Sequence, residues 1–129
     1  MSIMVATDGQ QHSEKAVRFA IELARCRKTP LVILHVITGK RGADNERIIK
    51  DGLLLVDKIK DVASAYGVAA TGLLDAGVAS DLILARAQEN ECDVIVLGSP
   101  GQAPEGAGKI GSVPEYVVHN SKCTVIVIR

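Results

Sequence analysis

Five short apolar runs punctuate this chain, and the stretches between them carry helical spacing. The runs are Ile3-Met4-Val5-Ala6, Leu31-Val32-Ile33-Leu34-His35-Val36, a weaker one over 68–74, Asp93-Val94-Ile95-Val96-Leu97 and Thr124-Val125-Ile126-Val127-Ile128. Runs that are apolar at consecutive rather than alternate positions must be covered on both faces, as in a parallel sheet wrapped by helices. Alternation of strand and helix then demands crossover connections, and these are right-handed. The expected fold class is α/β with a doubly wound parallel sheet. At 129 residues the chain has room for one such domain, over 1–129.

The intervening segments supply the covering. After Ser13, a residue type that caps helices, Val17, Ala20, Ile21 and Ala24 recur at helical spacing, and this helix should end near Lys28, ahead of Pro30. A polar loop over 38–45 leads to a helix over 46–66 with Ile48, Ile49, Leu53, Val56, Ile59 and Val62 on its apolar face and Gly67 as C-cap. Gly72 weakens the third strand, and Asp75-Ala76-Gly77 reads as the loop that follows. A helix over 79–90 carries Leu82, Ile83 and Ala87. A loop rich in Gly and Pro spans 98–111, and a short helix capped by Ser112 follows it. Aromatic residues make up only 2% of the chain and Trp is absent, so Val, Ile, Leu and Ala must build the core.

Charge and cysteine content narrow the function classes. Fifteen basic residues balance fifteen acidic ones, so no overall field attracts nucleic acid or an anionic membrane. The scarcity of aromatics leaves no stacking platform for single-stranded bases. Cys26, Cys92 and Cys123 have no metal-type spacing and read as free thiols in a reducing compartment. No segment approaches the ~20 continuous apolar residues of a membrane span, and the N-terminal residues run straight into a strand with no signal-peptide pattern. A cytoplasmic protein is expected.

Doubly wound sheets bind ligands beyond the carboxyl ends of their strands, beside the point where strand order reverses. Two loops at those ends stand out. Thr7-Asp8-Gly9 places a hydroxyl and a carboxylate directly after the first strand. The fourth loop holds Gly98, Gly101, Gly106, Gly108 and Gly111 and runs into a helix start, which offers bare backbone N–H groups and a positive dipole end to phosphate. Gly106-Ala107-Gly108-Lys109-Ile110-Gly111 formally fits a dinucleotide pattern, yet it begins well past its strand and leaves too little chain for the ribose-binding acid. Gly108-Lys109 fails as a phosphate loop because Ile110 stands where a hydroxyl should hold magnesium. His35, inside a strand, reads as a satisfied core residue. His12 and His119 lack paired acids or cysteines at ligand spacing, so no metal site is expected. No nucleophile–base pair can be defended from spacing, so the site has no catalytic residue to nominate.

The spacing Gly98-x2-Gly101-x9-Gly111-Ser112 after an apolar strand resembles the signature of the universal stress protein family, in its ATP-binding branch. Ala6-Thr7-Asp8-Gly9 with Ser13, Leu34-His35-Val36, Asp93 to Ser99 and Ser112 to Val117 with the last strand are similar to that family's remaining segments, so the resemblance covers essentially the whole chain. It implies a Rossmann-like, adenine nucleotide α-hydrolase-like sheet of five strands in the order 3-2-1-4-5, with the nucleotide between strands one and four. By position, Thr7, Asp8 and the backbone of Val36 would face adenine and ribose. Gly98, Ser99, Gly101, Gly111, Ser112 and Val113 would face ribose and phosphates. The implied ligand is ATP (or ADP or AMP) with Mg2+, and the implied role is regulatory, in a stress response, with slow ATP hydrolysis at most. Related proteins dimerise through the last strand, which implies a homodimer through residues 124–128. Two departures stand against this pattern: Pro114 and Pro100 occupy positions where the family often has a hydroxyl and a basic residue, and proline gives a phosphate neither N–H nor hydroxyl. A nucleotide-free dimeric interaction module of the same fold is therefore the second reading. A third, a phosphoacceptor receiver with Asp75 as acceptor, lacks the acidic pair needed after the first strand, where Asp8 is alone.

Overall fold

The computed structural model describes residues 1–39, 45–99 and 110–129. Strands and helices alternate as follows: Ser2–Thr7 (β1), Gln11–Arg27 (α1), Leu31–Ile37 (β2), Glu46–Ala65 (α2), Ala70–Ala76 (β3), Ala79–Glu89 (α3), Cys92–Gly98 (β4), Ser112–Asn120 (α4) and Thr124–Ile128 (β5). The strands form one sheet in the order β3-β2-β1-β4-β5, and every neighbouring pair is parallel. Strand order reverses at β1, so β1 and β4 splay their following loops to opposite sides and open a crevice between them.

Successive residues of the central strand serve two cores. Ile3 and Val5 pack with Ala16, Ala20, Ala24 of α1 and with Val56, Ile59 and Ala63 of α2. Met4 packs on the other face with Ile83 and Ala87 of α3 and Val117 of α4. Ile3, Met4 and Val5 are fully buried, as a strand covered on both sides requires. The four-residue spacing of Ala16, Ala20 and Ala24 gives α1 a narrow stripe that lies close on the sheet. That helix stops at Lys28, whose left-handed backbone (φ 55°) turns its N–H back to the carbonyls of Ala24 and Arg25. The three cysteines are free, and burial pushes the Cys92 thiol up to about 11.

Three local expectations are corrected. Ser13 is not the cap of α1; it lies inside the helix, buried, because Gln10 takes the capping position. Ser112 is the first helical residue of α4, and Gly111, with φ 97°, precedes it as the cap. The third strand runs two residues later than its apolar pattern suggests, so Asp75 and Ala76 belong to the strand rather than to the loop. Pairing with β2, which continues to Ile37, draws them in: Val36 is opposite Asp75 and Ile37 opposite Ala76. Gly72, read as a weak point, lies against α2: a Cβ there would strike Val56 Cγ1.

Candidate functional site

A cavity of about 360 Å³ opens at the carboxyl ends of β1 and β4. Its floor is apolar, from Val36 on β2, Ile83 on α3 and Leu97 on β4. One wall is the β1–α1 turn with Thr7, Asp8 and His12, and the facing wall is Gly98 with Gly111, Ser112, Val113 and Pro114. Of the residues nominated from sequence, Thr7, Asp8, Val36, Gly98, Gly111, Ser112 and Val113 are thus brought to one crevice. Ser99 is not among its lining residues; it is buried, its hydroxyl donates to the Ile110 carbonyl at 2.9 Å, and its N–H donates to Ile128 O at 2.8 Å. Gly101 and Pro100 lie outside the described residues.

The turn that carries Asp8 is fixed by a chain of donors. The Ser13 hydroxyl donates to the Gln10 carbonyl at 2.8 Å. Its oxygen therefore accepts from the Thr7 hydroxyl at 2.9 Å, and Thr7 Oγ1 accepts in turn from the Gly9 N–H at 3.1 Å. The Thr7 side chain is buried and spent on this chain, so what it lends to the crevice is shape. Behind it, His35 Nδ1 lies 2.8 Å from the Thr7 carbonyl; a carbonyl only accepts, so Nδ1 carries the proton. His35 thus has the satisfied structural part expected of it. Asp8 projects outward, with Oδ1 accepting from the Gln10 N–H at 2.8 Å and Oδ2 facing His12 Nε2 at 3.1 Å.

That last contact corrects the reading of His12 as a histidine without an acid. Asp8 lies four residues before it, in the turn that precedes α1, and that turn brings the two side chains to 3.1 Å. Thr38, Ala79 and Ile83 also line the crevice without having been nominated. They are ordinary residues by type, and only the fold brings them there.

On the facing wall, Gly98 permits a close approach: a Cβ there would stand 2.8 Å from the His12 carbonyl oxygen. The first turn of α4 offers the N–H groups of Ser112 and Val113, whereas Pro114 contributes none. Asp8 and His12 are the ionisable groups of the lining among the described residues. Those residues hold no cluster of three or more His, Cys, Asp or Glu fit for a metal ion. Asp75 is paired with Arg86, whose Nη2 and Nε lie 2.8 Å from its Oδ2. No described helix is long and apolar enough to cross a membrane.

A doubly wound sheet with a crevice at the strand-order reversal, lined among the described residues by a single carboxylate, defines a small α/β domain. Comparison with known proteins carries this further. The chain belongs to the universal stress protein family, whose pattern matches residues 1–129. It is 31% identical to the universal stress protein YxiE of Bacillus subtilis, over 98% of this chain and 97% of that one. Among solved structures it resembles a universal stress protein from Archaeoglobus fulgidus, at 27% identity and a TM-score of 0.86 over 100% of this chain and 98% of that one. A structure of the Archaeoglobus fulgidus protein in complex with dAMP superposes with a TM-score of 0.80, at 26% identity over 100% and 98% of the two chains.

Proposed function

We propose that this chain binds an adenine nucleotide in the crevice between β1 and β4, as a single-domain regulatory protein of a cytoplasmic stress response rather than as a catalyst. The observation that carries the proposal is the pairing of an apolar floor at Val36 and Ile83 with two polar lips, Asp8 on one side and Gly98, Gly111 and Ser112 on the other. An apolar slot suits a base, a carboxylate accepts ribose hydroxyls, and bare backbone at a helix start suits phosphate. The dAMP complex of the Archaeoglobus fulgidus relative supports the same ligand class. ATP with Mg2+ is the proposed occupant. Mg2+ would arrive on the phosphates and keep most of its waters, which fits a lining whose described residues offer a single carboxylate.

The open edge of β5 supports a homodimer through 124–128, since that strand pairs with β4 on one side and with no other described strand. Pro114 favours a second reading, a nucleotide-free dimeric interaction module, because it removes a donor from the first turn of α4 where phosphate would lie. One experiment separates the two. Freshly purified protein is denatured and the released small molecules identified by mass spectrometry, with melting followed with and without MgATP. Adenine nucleotide near one per chain, or a clear rise in melting temperature, is the expected result. An empty protein indifferent to millimolar MgATP and AMP overturns the nucleotide reading.

A further inference from the structure

Among the described residues, the crevice lining carries few charged groups. Its floor contributes nothing charged, and neither do Thr38, Ala79 and Gly98 nor the first turn of α4 through Ser112, Val113 and Pro114. Glu115, the acid of that turn, is not a lining residue. Among the described residues, the charge presented to a ligand is therefore set by Asp8 and His12 together, at 3.1 Å separation and with side chains 51% and 34% exposed. With His12 neutral the pair presents one negative charge. With His12 protonated it presents none.

We propose that His12 is a specificity-determining residue of this crevice, the protonated ring cancelling Asp8 so that a phosphate-bearing ligand can enter beside it. This inference rests on the nucleotide reading and adds to it how the site distinguishes a nucleotide from its nucleoside. The placement of His12 supports it. Its carbonyl lies under Gly98, so the residue sits at the seam where the Asp8 lip meets the glycine lip, between the places suited to ribose and to phosphate. Histidine is the side chain whose charge changes between about pH 5 and pH 8. The inference therefore requires a preference for a phosphorylated ligand that is stronger at lower pH. Asp8 remains an acceptor for ribose in either state, because its carboxylate is anchored by the Gln10 N–H and does not depend on the ring to hold it.

The test compares 3′,5′-cyclic AMP, whose phosphodiester keeps one charge throughout, with adenosine, which has none. Affinities are measured by calorimetry at constant ionic strength, at about pH 6 and about pH 8. The parent should bind the cyclic nucleotide roughly threefold to fivefold more tightly at the lower pH, with adenosine unchanged. His12→Gln should remain at the weaker value at both pH values, and His12→Lys should restore tight binding at both. Binding of both compounds with the same pH profile in parent and His12→Gln overturns the inference and leaves the nucleotide reading standing. A parent that binds neither compound at either pH, and neither MgATP nor AMP, overturns both; one that binds MgATP or AMP but not the cyclic nucleotide overturns this inference alone.

Discussion

One methyl group added at Gly98 presses on the seam between β4 and α1. A Cβ at that position would lie 2.8 Å from the His12 carbonyl oxygen and 3.1 Å from Ser13 Cα, where ordinary contact starts at 3.4 Å. Both obstacles are backbone, so no side chain can rotate away, and the seam must open by roughly 0.6 Å. The helix cannot yield freely, because Ala16 and Ala20 are fully buried against the sheet. Overpacking of this kind costs about 1–3 kcal/mol. For 129 residues at about 2.1 cal/mol/K each, the unfolding entropy is about 0.27 kcal/mol/K, so Gly98→Ala should melt roughly 4–11 °C below the parent. The opening also carries His12 and Asp8 away from the glycine lip, so the rise in melting temperature caused by MgATP should shrink. Gly72→Ala is the control: its Cβ would strike Val56 Cγ1, under β3 at the opposite edge of the sheet from β4 and β5. It should lower the melting temperature while leaving the ligand-induced rise intact. Calorimetric or fluorescence melts with and without MgATP provide both readings. A Gly98→Ala protein that melts within about 1 °C of the parent refutes the packing argument, and one that is destabilised but keeps its full ligand response refutes the link between seam and crevice.

Asp8→Ala should weaken adenine nucleotide binding by ~1.5–3 kcal/mol, or roughly ten- to hundredfold, because a charge-assisted bond to ribose is lost; unchanged affinity by calorimetry would remove Asp8 from the site. Pro114→Ser restores an N–H and adds a hydroxyl in the first turn of α4, and should tighten ATP binding several-fold with adenosine unaffected. Equal ATP affinity in parent and variant would mean that phosphate does not lie over this helix. Val127→Pro removes a donor from the edge strand β5 and bends it, so light scattering should report a monomer or an aggregate; an unaltered dimer mass would put the interface elsewhere.

The layered sheet was legible because its central strands are buried on both faces, and continuous apolar runs such as 94–97 announce that condition without help from context. Element ends were less legible where a partner decides them. The third strand is half-buried along most of its length, so its own pattern is weak and β2 sets its register. Gly72 has a reason that its own pattern does not show: propensity counts a glycine against a strand, whereas Val56 occupies the space a Cβ would take there. In the crevice, the glycines and Asp8 were found through their chemistry. Ser99, nominated from the same motif, is not among the lining residues, and its hydroxyl ties Ile110 to the end of β4. Thr38, Ala79 and Ile83 had no chemical signal to give.

Ser13 shows how a residue can be noticed for its type and assigned the wrong task. A serine before a helical pattern suggests a cap, but here α1 begins two residues earlier and Ser13 turns inward at 3% exposure. Buried hydroxyls must be partnered, and two of them can satisfy each other only if their protons run in one direction. The Gln10 carbonyl sets that direction by accepting from Ser13, which leaves the Thr7 proton for Ser13 and the Thr7 oxygen for the Gly9 N–H. Each bond therefore depends on the one before it, and the β1–α1 turn has one arrangement in which all are made. Asp8 stands within that turn, its Oδ1 bound to the Gln10 N–H, so its carboxylate is aimed before any ligand arrives. Among the described residues, the one carboxylate of the crevice thus takes its orientation from a turn held by two buried hydroxyls.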